Sequence, residues 1–284
     1  MIKIVTDSTA YLPSEYVQEH DIRVVPLNVL FGERSYKEGV ELSNEEFYRM
    51  LAEAPALPTT SQPAVGDFHK VYSELAAAGH QIVSIHISSK LSGTVDSALA
   101  AKQMLPEATI AVVDSLLTSV GLELVVRAAV EAAEAGRSYE QVVDLAQRVA
   151  QSTRTYFVVD TLEYLQKGGR IGGAAAFLGT LLKVKPILCL KDGRVEPVDK
   201  VRTRKKALRR LLDLMEGDMG VGTPVRAAVV HAQALEEGKA LVEKVRSRLN
   251  CSFIYLAELG PVIGTHTGPG TLGLAAHSEA VLQG

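Results

Sequence analysis

At 284 residues, with 47% hydrophobic and 22% charged content, the chain can bury a full core and is long enough for two domains of ordinary size. Its formal net charge of -3 gives no general electrostatic reason to bind nucleic acid or an anionic membrane. Cys189 and Cys251, the only cysteines, lie far apart, which argues against a disulfide framework or a thiolate metal site and fits a reducing compartment.

The opening MIKIVTDSTA lacks the long apolar core of a signal peptide, and the most apolar region, 109–130, is interrupted by Asp114, Glu123 and Arg127. A cytoplasmic protein with at most transient membrane contact is expected. Val- and Ile-rich runs follow at IKIVTD, IRVVPL, QIVSIHIS and TIAVVDS, separated by amphipathic stretches such as VGDFHKVYSELAAAG. That alternation predicts an N-terminal three-layer α/β domain with a parallel sheet over 1–152. Its strands end in small polar residues, at Thr6 to Thr9, Ser88 and Ser89, and Asp114 and Ser115. In open α/β sheets ligands bind beyond such ends.

From TYFVVD onward the rhythm changes. Asp192-Gly193 is the strongest hairpin signal in the chain, and helix-like 203–216 and 234–249 alternate with strand-like 225–231 and 251–257. A C-terminal two-layer α/β domain with a mixed sheet is expected over 153–284. The basic run 200–210 carries seven cationic residues in 11 but no interleaved aromatics, which favours a solvated helix face over a nucleic-acid surface.

Four segments are candidates for chemistry. LPTTSQPAVGDF holds Thr59, Thr60, Ser61 and Gln62 between Pro58 and Pro63, and reads either as a loop capping the helix near Val65 or as a rigid row of donors. SSKLSGTVDSA passes Ser92, Gly93 and Thr94 into a helix, where hydroxyls and amides suit an anion or simply cap the turn. DTLEYLQKGGRIGG places Asp160 and Glu163 as a capping pair on a short helix ended by Gly168, leaving Arg170 unexplained. GPVIGTHTGPG sets Thr265, His266 and Thr267 among glycines with no regular periodicity, as a binding loop would.

Several chemistries are disfavoured. The remaining histidines have no metal-ligand spacing, so zinc is not expected. Gly268, Gly270 and Gly273 match G-x-G-x-x-G, but too few residues follow for a dinucleotide-binding unit, and no G-x-x-x-x-G-K-[ST] loop occurs. No catalytic residue is assigned. A serine hydrolase built on Ser92 and His266 is the alternative, although the G-x-S-x-G elbow is absent.

TDST at 6–9, TTSQP at 59–63, SSKLSGT at 88–94, VVDSLLTSVGLELVV at 112–126, DTLEYLQKGGRI at 160–171, AAAFLGTLLKVKPIL at 174–188 and GPVIGTHTGPGTLGLA at 260–275 together resemble the DegV family, in family order over nearly the whole chain. The family's members are bacterial lipid-binding proteins and include the fatty-acid-binding (FakB-type) subunits of fatty acid kinase. The resemblance implies one long-chain fatty acid between two α/β domains, with no other cofactor. It also implies a separate ATP-dependent fatty acid kinase as partner. Carried over by motif, Thr60, Ser92 and His266 hold the carboxylate, with Ser61, Gly93 and Thr265 beside them, and Arg170 faces the kinase.

Such a head-group site offers hydroxyl and imidazole donors without a buried arginine. Affinity then comes from the tail: at about 0.8 kcal/mol per methylene, roughly 14 methylenes offer on the order of 11 kcal/mol before ordering and association costs. The small apolar run GGAAAFLGTLL, 172–182, is read either as tunnel lining or as an ordinary core segment.

Overall fold

The Val- and Ile-rich runs of the first half form the parallel strands expected of them. The computed structural model describes residues 1–283, apart from the side chains at 180–183. In chain order it contains β1 (Ile2–Asp7), α1 (Ser14–Glu19), β2 (Arg23–Val25), β3 (Asn28–Phe31), β4 (Arg34–Lys37), α2 (Asn44–Glu53), β5 (Thr59–Ser61) and α3 (Val65–Ala77). Then come β6 (Gln81–His86), α4 (Thr94–Gln103), β7 (Ile110–Asp114), α5 (Ser119–Glu134) and α6 (Tyr139–Ser152).

Strands β2, β1, β6 and β7 lie side by side in that order, all parallel. Successive residues of a strand point to opposite faces, and both faces here are apolar. Ile4, Val83 and Ile85 meet Leu122 and Val126 of α5 and Leu145 and Val149 of α6. Val5 and Ile82 meet Phe68 and Tyr72 of α3 and Ala98 of α4. These are the three layers anticipated.

A second sheet, β4-β3-β5, is antiparallel and has no counterpart in the sequence reading. Thr59–Ser61, read as loop, is a three-residue edge strand paired only with β3. Pro58 and Pro63 stand just outside its ladder, where a missing N–H does no harm.

The second half continues with β8 (Arg154–Val158), α7 (Glu163–Lys167), a 3-10 run (Gly172–Lys183), β9 (Lys185–Lys191), β10 (Arg194–Val201) and α8 (Arg204–Met219). It ends with β11 (Pro224–His231), α9 (Leu235–Arg248), β12 (Asn250–Glu258), α10 (Pro261–Thr267), β13 (Leu272–Ser278) and a 3-10 turn (Glu279–Gln283). The six strands run β10-β9-β8-β13-β11-β12 and are antiparallel except for β11 against β12, giving the mixed sheet expected. Asp192 and Gly193 turn the β9–β10 hairpin with φ of 50° and 79°, the two left-handed residues that a type I′ turn needs.

Helices α8 and α9 cover one face of this sheet, burying Leu211, Met215, Leu241 and Val245 against Ile187, Val229 and Leu274. The other face turns to the first half: Ala228, Val230 and Ala275 meet Val120 and Leu124 of α5 and Leu27 and Val29. The last turn returns to α6, where Arg148 donates to the Val281 carbonyl at 2.7 Å and Arg137, just ahead of the helix, to the Leu282 carbonyl at 2.8 Å.

Candidate functional site

GPVIGTHTGPG is not an irregular loop. Pro261 supplies a helix-ready φ at the first position of α10, and Gly268, with φ of 74°, ends the helix after seven residues. Its first amides lack intrahelical acceptors and are satisfied from the other half of the molecule. Val262 N–H donates to Glu38 Oε1 at 2.7 Å, and Ile263 N–H to the Tyr11 hydroxyl at 3.1 Å. Burial raises Glu38 to about 7 despite the hydrogen bonds that Ser8, Val262 and Tyr11 give it. Gly264 permits close approach to α2, since a Cβ there would stand 2.8 Å from the Phe47 ring. The glycines thus seat a helix, and the helix aims His266.

His266, only 8% exposed, lies in the last turn of α10 with Nε2 2.8 Å from Thr60 Oγ1 of β5. Nδ1 is buried with no hydrogen-bond partner in the protein and faces Gly168, where a Cβ would overlap it. Burial, and secondly the Arg170 guanidinium, push the imidazole down to about 4. The ring is therefore neutral at pH 7, with one nitrogen donating and one accepting.

Ser92 closes the cluster from the β6–α4 connection, its Oγ 2.8 Å from Thr94 Oγ1. Gly93 is the N-cap of α4, and no side chain bonds the first amides of that helix. A Cβ on Gly93 would overlap the end of the Gln62 side chain, just beyond β5, which would have to shift to admit it.

These groups open on a cavity of about 390 Å³ between the two halves. Thr60, Ser61, Ser92, Gly93 and His266 all line it, together with apolar residues that include Leu27, Ile87, Leu165, Leu190, Ile263 and Leu274. Thr265 does not line it: its hydroxyl donates to the Pro261 carbonyl at 2.8 Å, one turn back within α10. Arg170, expected to face outward, lines the cavity too, so the head-group site is not free of arginine. Its Nε and Nη1 donate to the carbonyls of Leu91 and Gly168 at 3.0 and 2.8 Å, tying the end of α7 to the Ser92 loop.

A family model described as "Uncharacterised protein, DegV family" matches residues 1–279. The chain belongs to the DegV family. Protein DegV of Bacillus subtilis is 40% identical over 274 residues, covering 96% of this chain and 98% of that one. A DegV family protein from Thermus thermophilus, whose structure is described as showing fatty acid binding, is 41% identical with a TM-score of 0.92 over 98% of this chain and 99% of the other. A stearic acid-binding protein from Eubacterium ventriosum is 32% identical with a TM-score of 0.88 over the same shares.

Other assignments made for this DegV chain are revised. Asp160 does not cap α7: it pairs with Lys185 at 2.8 Å and Arg204 at 3.1 Å, while Thr161 Oγ1 accepts the Glu163 amide at 3.1 Å. The β1 tip is not at the cavity. Asp7 is fully buried and accepts from the amides of Thr9 and Ile87 at 3.1 and 2.9 Å. In the basic run Lys200, Arg202, Lys205, Lys206, Arg209 and Arg210 are exposed, as a solvated face requires, and Arg204 alone departs from it, pairing with Glu237 at 2.8 Å and donating to the Gly270 carbonyl at 2.6 Å. None of the described side chains at 172–179 lines the cavity, and Ala174 packs in a core with Leu162 and Val195. Thr180, Leu181 and Leu182 of that run lie outside the described side chains.

The hydrolase alternative lacks its geometry. Ser92 Oγ is bonded to Thr94, and the hydrogen bond of His266 goes to Thr60. An Asp–His–Ser row does exist, Asp7 to His86 at 3.0 Å and His86 to Ser84 at 2.6 Å, but all three are 0% exposed and Tyr72 donates to Ser84 behind them. It is a core network. Among the described residues no cluster of His, Cys, Asp or Glu is arranged to hold a metal ion, and no helix is long and apolar enough to cross a membrane.

Sequence reasoning missed Thr118, Ser119, Thr155 and Thr271, which also line the cavity, as does Thr267 of the expected binding loop. Polar residues before an apolar helix, as in SLLTSVG at 115–121, signal a cap, and nothing in such a stretch says that the cap borders a hollow.

Proposed function

We propose that the chain binds one long-chain fatty acid between its two halves and presents the carboxylate to a separate ATP-dependent kinase, which forms the acyl phosphate. The observation that carries this reading is one cavity, walled by apolar side chains, on which Thr60, Ser92 and His266 converge from three separate elements. Apolar walls with a few convergent polar groups suit an amphiphile. The fatty-acid binding described for the Thermus and Eubacterium relatives supports the same assignment.

In this reading Ser92 donates its hydroxyl hydrogen to the carboxylate, the bonded Thr60–His266 pair supplies one more, from Thr60 when Nε2–H donates to its oxygen or from the imidazole when Thr60 donates to Nε2, and the Ser61 and Gly93 backbone lies alongside. Thr265 stiffens α10 instead. Arg170 sits where its charge is felt by the head group and by an approaching anionic partner. No nucleotide-binding loop occurs in the sequence, which fits a division of labour in which another protein holds ATP.

Intact-protein mass spectrometry under native and denaturing conditions, with the ejected lipid identified, tests the binding. A wild-type protein that neither carries nor takes up fatty acid refutes it. Thr60→Ala, Ser92→Ala and His266→Ala are each expected to weaken retention about 10- to 150-fold without unfolding the protein, the worth of one hydrogen bond to a charged group. Equal affinity for the methyl ester would count against a carboxylate site. Acyl phosphate formed only when kinase and ATP are both present is the expected result for the partner role.

A further inference from the structure

The polar side chains that line the cavity divide into two sets. Ser61 is bonded to Asn28, Gln62 to Ser97, Ser92 to Thr94, Thr267 to the Ile263 carbonyl, and Thr271 to the carbonyls of Thr267 and Gly268. Thr60 and His266 share one bond. Three hydroxyls have no partner in the protein at all: Thr118 Oγ1, Ser119 Oγ and Thr155 Oγ1, each a buried atom. Thr118 is 9% exposed and Ser119 6%.

The three come from facing elements. Thr118 and Ser119 begin the 16-residue α5, whose N-cap side chain makes no bond to the helix and whose first turn holds no acidic residue. Thr155 stands on β8 across from Gly121, where a Cβ would come within 3.0 Å of its hydroxyl. Thr118 and Ser119 stand at the positive dipole end of α5, whose Gly121 and Leu122 amides donate back to the Thr118 carbonyl at 3.2 and 3.4 Å. A plain hydrocarbon tail passing this point would leave all three hydroxyls unpaired in an apolar setting.

Taking the fatty-acid reading above as given, we infer that Thr118, Ser119 and Thr155 form a second recognition point, for an oxygen carried on the acyl chain, so that hydroxy fatty acids are a preferred ligand class. A neutral oxygen fits better than a second carboxylate, because Arg170 is the one cation among the described lining residues and it is held at the Ser92 loop. A chain hydroxyl can accept from one threonine and donate to another, which satisfies groups that the protein itself leaves unpaired.

The test is competition between stearate and a panel of hydroxystearates, with the hydroxyl stepped along the chain, read by native mass spectrometry of the bound lipid. One regioisomer is expected to displace stearate from the wild-type protein with an advantage of about threefold to tenfold, the range of a net neutral hydrogen bond. The advantage is expected to vanish in a Thr118→Val/Thr155→Val protein, whose stearate affinity is kept or raised. Thr118→Ser, which retains a hydroxyl, should keep the preference and serves if the double variant does not fold. Stearate bound in preference to every hydroxystearate overturns the inference alone, as does an advantage that survives the double substitution. A protein that takes up neither overturns the carrier reading beneath it as well.

Discussion

Gly168 and Gly169 are neighbours that ought to fail in opposite ways when replaced by alanine. Gly168 has φ of -77° and ψ of -5°, ordinary for any residue, so alanine there meets no backbone penalty and gains up to about 1 kcal/mol of helical propensity. Its Cβ, however, would overlap His266 Nδ1 and stand 3.0 Å from Cε1, and the ring must swing away from Thr60, 2.8 Å from its Nε2. Losing that bond costs about 0.5 to 1.5 kcal/mol, so the net change in stability is close to zero. Head-group binding should fall at least tenfold, because His266 no longer meets the carboxylate. Gly169 has φ of 70° with nothing within 4 Å of a new Cβ, so Gly169→Ala should lose about 1 kcal/mol of stability and bind fatty acid normally. Urea melts and lipid titration of the two variants decide the matter. Wild-type affinity in a folded Gly168→Ala protein would refute the placement of His266 at the head group.

Three further outcomes are expected. His266 titrates near 4 in the folded protein against 6.5 unfolded, so as pH falls from 6.5 toward 4 the unfolded state takes up a proton that the folded state refuses, and lipid-free protein loses up to about 3 kcal/mol. His266→Gln should remove that part of the slope in urea melts, and an unaltered slope would contradict it. Glu38 has the opposite sense: raised to about 7 from 4.5, it keeps its proton while the unfolded state gives its own up, so stability falls by up to about 3 kcal/mol as pH rises from 4.5 to 7 and then levels off. Glu38→Gln should flatten that limb. Arg170→Ala should raise the NMR titration midpoint of His266, since the guanidinium lowers it, and should reduce acyl-phosphate formation with kinase and ATP; an unmoved midpoint would place the arginine out of reach of the ring.

Much of the fold could be read because its signals are local. The Val- and Ile-rich apolar runs gave β1, β6 and β7, and Asp192-Gly193 marked its hairpin, since both depend on residues a few positions apart. The small sheet escaped for the complementary reason. Thr59–Ser61 becomes a strand only because β3, some thirty residues earlier, offers an edge, and no propensity within TTS announces that pairing. Asp160 was misassigned in the same way: Glu163 three residues on resembles a cap, while its actual partners, Lys185 and Arg204, are remote in sequence.

The site shows the same division more sharply. Thr60, Ser92 and His266 were legible as donor-rich residues beside prolines and glycines, but what makes them one site is a set of long-range contacts. Glu38 and Tyr11 cap α10 from the other half of the chain, Gln62 presses on Gly93, and Gly168 makes room for the His266 ring. Gly93 was legible as an amide at a helix start and Gly168 as a helix end, and both proved to be places where a neighbour comes close. A cap residue whose hydroxyl bonds its helix and one whose hydroxyl is left unpaired beside a cavity have the same sequence signature. Only the hydrogen-bond partner distinguishes them, and for Thr118 and Ser119 the protein supplies none. The two classes of threonine on this wall, those bonded back into their own helix or loop and those without a partner in the protein, are therefore the point at which reading residue types ends and reading satisfied and unsatisfied groups begins.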